Sequence, residues 1–270
     1  TSLSKPCTDL DGHRIITSPS IGISVYPRDG EDIDTLLLNA DAAMYKAKKS
    51  GRGRYKFFDP SLNIISVEKF AIEQRMPSAI TSGEFTLHYQ PKIRLQDYRV
   101  VGLESLIRWQ HPEHGLIFPS DFIEIAEETG MIVDLGAWVL ESACRQLDSW
   151  RALEMDLMPI AVNVSPLELK AETYADQFLS IIGQYDIPLE FIEIEVTENA
   201  FIDDRKVVIR NLKTLFDLGV KIFLDDFGTG FSSLEHIRLL PISSVKIDRS
   251  FVQDIRNSFH DSPILSSTVT

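Results

Sequence analysis

The feature that most narrows the fold of this 270-residue chain is an alternation that begins at Phe85. Short runs rich in β-branched and aromatic residues read as strands at 85–93 (FTLHYQPKI), 100–109 (VVGLESLIRW), 159–165 (PIAVNVS), 191–197 (FIEIEVT), 221–226 (KIFLDD) and 244–248 (SVKID). Apolar residues at helical spacing lie between most of them, notably over 121–130, 135–153, 204–218 and 232–239. Repeated strand–helix units with short strands predict an α/β fold, a parallel sheet covered by helices.

The polar residues that interrupt these strands decide which α/β fold is expected. Glu104, Asn163, Glu195, Asp225 with Asp226, and Lys246 with Asp248 each fall near the middle or the C-terminal end of a successive strand. In a (β/α)8 barrel those ends converge on one mouth, where catalytic groups from several strands meet. An open doubly wound sheet would carry a glycine-rich first turn, and no G-x-G-x-x-G follows a strand here. The expected architecture is a TIM-type barrel.

Taken singly, each polar residue has a plain explanation. Glu104 and Arg108 share a strand face and could form a buried ion pair. Asn163 could end a strand in a turn, and one of Asp225 and Asp226 could cap the next helix. Within FIEIEVTEN, Glu193 and Glu195 share a face and Glu198 follows in the loop. The set resists such explanations, because carboxylates delivered by several strands to one mouth repel unless a cation joins them. Oxygen donors without Cys or His suit Mg2+ or Mn2+. Five carboxylates and one amide exceed the needs of one ion. Two ions sharing a bridging aspartate fit better, an arrangement that cleaves phosphodiester bonds by in-line attack. Lys246 could form a Schiff base only if its pKa fell, whereas surrounding carboxylates should raise it, so a role in positioning water or a phosphate oxygen is expected.

Two motifs compete and lose. Asp226-Phe227-Gly228 matches the kinase metal tripeptide, but the strand lysine and catalytic-loop motifs of that fold are absent. His111 and His114 resemble a metal pair, yet Pro112 and Gly115 mark a structural loop. Ser232 and Glu235 have capping-box spacing, so GTGFSSL both starts a helix and offers a glycine loop beside the aspartates.

Residues 1–60 read as a separate small unit. HRIITSPSIGISVYP is a strand or hairpin, DIDTLLLNADAAMYKAKKSG a helix stopping at Gly51, and GRGRYKFF a closing strand. Over 61–84 a connecting helix, SVEKFAIEQRM, is expected to be interrupted at Pro77. Forty acidic against 27 basic residues give a net charge of −13, which excludes nucleic-acid polymers and leaves a small phosphorylated ligand reached through metal ions. No apolar run approaches the ~18–20 residues of a membrane helix, and the N-terminus lacks signal-peptide character. Cys7 and Cys144 form no framework, so a reducing cytoplasm is expected, though a full-length protein could be membrane-tethered. The first residue is Thr1, as expected of a piece of a longer chain.

Six motifs in order, YQP at 89–91, ESL at 104–106, NVSP at 163–166, EVTE at 195–198, DDFGTGFSSL at 225–234 and KIDRSFV at 246–252, resemble the EAL-type cyclic di-GMP phosphodiesterase domain over about 70–270. Ser105 stands where that family's motif has alanine. The resemblance implies a modified TIM barrel with an antiparallel first strand and hydrolysis of cyclic di-GMP to linear pGpG. It implies metal ligation by Glu104, Asn163, Glu195, Asp225 and Asp226, with Asp248 near a second metal. Lys246 would hold the attacking water, Gln90 and Arg108 would contact the ligand, and Glu198 would anchor the loop at 227–233, which links dimerisation through the barrel to catalysis. It also implies later strands, one ending Ala-Glu-Gly-Val-Glu, so a barrel ending at Thr270 is expected to be incomplete. A non-catalytic cyclic di-GMP receptor is the alternative. SIGISVYP, ADAAMYKAKKSG and GRGRY resemble the C-terminal part of a GGDEF-type diguanylate cyclase domain without its hairpin. Lys48 and Arg52 match that family's phosphate contacts, but no cyclase activity is expected.

Overall fold

A computed structural model of the chain describes residues 7–8, 14–15, 19–49, 53–59, 62–201, 205–227 and 240–248. The chain divides into two units, Thr1–Arg75 and Met76–Thr270.

In the first unit, β1 (Cys7–Thr8) and β2 (Arg14–Ile15) pair antiparallel. β3 (Ile21–Ile23) is followed by α1 (Ile33–Lys49) and pairs parallel with β4 (Tyr55–Phe57). Asp32 starts α1 by accepting the Thr35 backbone N–H at 2.8 Å. Ala42, Ala43 and Phe58 form a small apolar cluster. Gly22 allows α1 to approach closely, since a Cβ there would lie 1.8 Å from the Ala40 carbonyl oxygen. The glycine stop at Gly51 and Arg52 fall outside the described residues.

α2 (Leu62–Ser82) continues past Pro77 and is not interrupted there. Met76 and Ala79 beside it are fully buried, and that packing outweighs the one backbone hydrogen bond a proline removes. β5 (Phe85–Ile93) and β6 (Val100–His111) form an antiparallel hairpin with Gln90 opposite Glu104. β6 runs two residues further than expected because β7 (Gly115–Ile117) folds back on its end. There His111 Nδ1 accepts the backbone N–H groups of Glu113 and His114, each at 3.2 Å, which makes the histidine pair part of a turn.

α3 (Pro119–Thr129) begins on a proline and stops at Gly130, whose φ of 79° suits a left-handed end. After α4 (Ile132–Ala152) come β8 (Ile160–Asn163), α5 (Pro166–Leu169), α6 (Tyr174–Gly183), β9 (Ile192–Thr197), α7 (Arg205–Asp217), β10 (Lys221–Phe227) and β11 (Ser244–Ile247). The sheet order is β11-β10-β9-β8-β6-β5, parallel throughout except at β5–β6 and at β7. The antiparallel first strand is thus as expected. The expected helix over 232–239 lies outside the described residues. Among the described residues no helix is long and apolar enough to cross a membrane.

Strand alternation sorts the two faces. Ile160 and Val162, Ile192, Ile194 and Val196, and Ile222 and Leu224 join Leu140, Ala143, Leu147, Phe178 and Leu212 of the helices in one buried cluster. Residues between them, Asn163, Glu193, Glu195 and Asp225, belong to the other face.

α5 carries a buried acid. Ser165 caps it, and the Glu168 carboxylate returns to accept the Ser165 N–H at 2.8 Å, a capping box. The Ser165 hydroxyl also donates to Glu127 Oε1 at 2.7 Å. Glu168 sits where Gly136 leaves room, since a Cβ there would lie 1.9 Å from Glu168 Oε1. Burial pushes the Glu168 pKa up to about 8 from 4.5; the Ser165 N–H opposes the rise and Glu127 adds to it. A carboxyl with a raised folded pKa stabilises fully below its unfolded pKa, and loses that contribution as pH rises through the folded value. Urea denaturation should therefore show Glu168→Gln gaining on the parent chain by ~2–4 kcal/mol between pH 5 and pH 9. Parallel pH profiles would contradict the buried neutral acid.

Candidate functional site

The C-terminal ends of the parallel strands gather the polar set around one ammonium group. Lys246 on β11 donates to Glu104 Oε2 of β6 at 3.1 Å, to Asp225 Oδ2 of β10 at 2.9 Å, and to Glu195 Oε2 of β9. Oxygens of Glu104, Glu195 and Asp225 lie within 4.8 Å of one another. Asn163 at the end of β8 donates its amide to the other Glu104 oxygen, Oε1, at 3.2 Å. Register explains the convergence: Asn163 pairs with Glu195 and Glu195 with Phe223, which places side chains of neighbouring strands on one face.

Burial sets the electrostatics. Burial alone would lower the Lys246 pKa, but hydrogen bonds and charge from Glu195 and Asp225 win and raise it above that of a free lysine. This ammonium is unsuited to Schiff-base chemistry. Glu195 is pushed up by burial, against the pull of Lys246 and Lys92 and with the push of Glu104. Asp226 is pushed up first by loss of solvent, then by Asp225 and Asp248. That repulsion places Asp248 in the same electrostatic neighbourhood.

The adjacent aspartates sit at a local irregularity of the strand. The β10–β11 register shifts between Leu224 and Phe227, and Asp226 has a φ of 52°. A bulge re-aims side chains that strict alternation would send to opposite faces, and aspartate tolerates the left-handed conformation better than most residues. The Asp226 N–H donates to Asp225 Oδ1 at 2.8 Å, steadying that carboxylate.

The other expected residues lie on the same strands or next to them. Gln90 is exposed on β5 across from Glu104. Arg108 makes no ion pair with Glu104; it donates to the Ile107 carbonyl at 2.8 Å and stacks 5.2 Å from the Phe118 ring centre. Glu104 takes Lys246 and Asn163 instead. Glu198 opens a 3-10 turn directly after β9, and both its buried oxygens lack hydrogen-bond partners among the described residues. The loop it was expected to anchor, 227–233, lies beyond Phe227 outside those residues. Ser105 points away from Glu104, and its hydroxyl donates to the Ala161 carbonyl at 2.8 Å, tying β6 to β8.

Lys92 was absent from the expected set. Its Nζ donates to Glu193 Oε2 at 2.6 Å and to Glu195 Oε1 at 3.4 Å. The available signal was its two-residue spacing from Gln90, which puts both on one face of β5.

The donors test well for a hard cation. They are oxygens alone, they converge from three strands, and a positive charge already sits among them.

Comparison with known proteins follows this geometry. The family model described as "EAL domain" matches residues 73–270, and that described as "Diguanylate cyclase, GGDEF domain" matches residues 2–54. The bifunctional diguanylate cyclase/cyclic di-GMP phosphodiesterase MucR of Pseudomonas aeruginosa is 39% identical over 96% of this chain and 38% of its own length. The cyclic di-GMP phosphodiesterase PdeR of Escherichia coli is 37% identical over 94% of this chain and 38% of its own length. The chain thus spans well under half the length of these curated relatives. Among solved structures, the PaMucR phosphodiesterase in complex with c-di-GMP matches with a TM-score of 0.68 at 37% identity, covering 74% of this chain and 81% of that one. The EAL enzyme Bd1971, bound to cAMP and cyclic di-GMP, matches with a TM-score of 0.67 at 27% identity, covering 90% and 62%.

The cluster predicts a cation-dependent stability. In a chelator, Lys246→Met should lower the melting temperature by several degrees, since stranding partly buried carboxylates costs a few kcal/mol (~3–5 for a fully buried pair). Adding Mn2+ should raise the melting temperature of this variant more than that of the parent chain. Equal melting temperatures in the chelator would show that the carboxylates need no cation.

Proposed function

Because the chain belongs to the EAL-domain family, we propose that it hydrolyses cyclic di-GMP to linear pGpG with the help of two Mg2+ or Mn2+ ions. The observation that carries this reading is the ring of Glu104, Glu195 and Asp225 around Lys246, with Asn163 on Glu104. Glu104, Asn163, Glu195, Asp225 and Asp226 would hold the ions, with Asp248 as a further candidate ligand. When bound, the ions supply Lewis-acid charge that makes a water nucleophilic near neutral pH and offsets phosphate charge.

The side chains divide the remaining work. Lys246 is fully protonated, so it donates: its ammonium orients the attacking water or a phosphate oxygen and accepts no proton. Asp225 and Glu104 hold that ammonium in place and orient the water's lone pair toward phosphorus. Water adds to one phosphorus, the P–O bond to the ribose 3′ oxygen breaks, and the leaving oxygen gains a proton, so one ring opening consumes one water. Arg108, bound to no carboxylate among the described residues, is available to the phosphate through its forked donors. Gln90, opposite Glu104, contacts the nucleotide. Glu198, buried with unpartnered oxygens, supports the reading of an anchor for the loop at 227–233.

The sheet order supports a modified (β/α)8 barrel, incomplete over this chain. We assign 1–60 to a partial GGDEF-like domain without cyclase activity, 61–84 to a linker helix and 85–270 to a truncated EAL-type barrel. We also assign a homodimer through the barrel and a cytoplasmic site of action.

The full-length protein containing this chain, incubated with cyclic di-GMP and Mg2+ or Mn2+, should yield pGpG by chromatography. Asp225→Asn should reduce the rate by more than the roughly 10–100-fold typical of losing an outer-shell partner. Tight cyclic di-GMP binding with no turnover under either metal would replace the enzyme with a receptor.

A further inference from the structure

Lys92 does more than balance charge. It starts on β5, and its partners sit on β9, with β6 and β8 between them in the sheet. Its stem passes Gly102, its partner on β6, with Cε 3.4 Å from where a Cβ on that glycine would lie. Phe223 of β10 supplies an aromatic face 4.6 Å from the ammonium. The two carboxylates and the aromatic ring together hold one cation at the base of the cluster.

The destination is what matters chemically. The two oxygens of Glu195 are divided between two lysines, Oε2 to Lys246 and Oε1 to Lys92. The Glu195 side chain is 0% exposed, so no bulk solvent can take the place of either lysine. A carboxylate held at one oxygen only can swing about its last torsion, which is broad and soft. Glu193, by contrast, has a second cation within reach, Lys221 at 3.9 Å, and depends less on Lys92 alone.

We propose that Lys92 is a positioning residue for Glu195, holding Oε1 so that Oε2 stays turned toward the Glu104 and Asp225 oxygens when a divalent ion occupies the cluster. This rests on the reading of the cluster as a metal centre. A lysine serving Glu193 alone would matter for folding and not for the ion. The two roles separate experimentally.

The test is Mn2+ binding to the full-length protein, read by the loss of the free-ion electron paramagnetic resonance signal, for the parent, Lys92→Met, Lys92→Arg and Glu193→Gln. Lys92→Met should weaken Mn2+ binding by roughly 10–100-fold, the range for losing an outer-shell partner. Lys92→Arg should restore it to within about threefold, and Glu193→Gln should stay within about threefold of the parent, both well inside that range. Parent-like Mn2+ affinity in Lys92→Met overturns the proposal, as does an equal loss in Glu193→Gln. Should Lys92→Met fail to fold because it strands Glu193, the double variant K92M/E193Q removes the stranded charge, and must still bind Mn2+ at least about tenfold more weakly than E193Q. A parent protein that binds Mn2+ tightly but leaves cyclic di-GMP intact refutes the phosphodiesterase reading and leaves this one standing. A parent that hydrolyses, with unchanged Mn2+ affinity in Lys92→Met, refutes only this one.

Discussion

Three carboxylates on one sheet edge cannot stay charged without a cation, and the second unit is organised around that demand. Oxygens of Glu104, Glu195 and Asp225 lie within 4.8 Å of one another. At an effective dielectric near 20, each such pair repels by about 3–4 kcal/mol. Left uncompensated, the three repulsions would rival the ~5–15 kcal/mol by which a whole domain is stable. Lys246 relieves them from one direction and Lys92 from another. Compensating positive charge at this edge therefore supports folding as well as any chemistry there.

The same strands meet this demand and build a hydrophobic core, because alternation separates the two jobs. β9 is the clearest case: Ile192, Ile194 and Val196 are buried in the core shared with the helices, while Glu193 and Glu195 are buried on the opposite face. A strand with apolar residues on both faces would pack as well and bind nothing. One with charges on both faces would have no helix layer to hold it in register. The polar face is then finished by short-range devices. Asn163 pins one oxygen of Glu104, and the Asp226 N–H pins one oxygen of Asp225.

Period and residue type made much of this legible. The six strands from Phe85 were readable because β-branched runs and turn residues bounded them, and the cluster because carboxylates recurred near their ends. What escaped had no local signature. Pro77 predicts a helix break, and the burial of Met76 and Ala79 overrides it, a tertiary effect that no window around the proline contains. Arg108 four residues after Glu104 looked like an ion pair, yet partners across the sheet lie 59 and 142 residues away and reach Glu104 instead. Lys92 meets a carboxylate 101 residues distant, on a strand that is not its neighbour in the sheet. Strand faces can be deduced from sequence, but which long side chain crosses the sheet depends on strand order, which no local window contains.

Asp225 and Asp226 show how backbone geometry can overrule that deduction as well. Two neighbours on a regular strand face opposite ways, so one of the pair would point into the apolar helix layer, where an isolated carboxylate costs several kcal/mol. The sequence avoids this by breaking the strand's regularity at that point: the register shifts before Phe227, and Asp226 takes a left-handed φ of 52°. Such a conformation costs a non-glycine residue about 1–3 kcal/mol, less than burying the charge alone. The strain has a local return, because the re-aimed backbone places the Asp226 N–H on Asp225 Oδ1. The irregular backbone thus turns two adjacent acids from a packing fault into neighbours of Lys246 and Asp248 at the edge of one site.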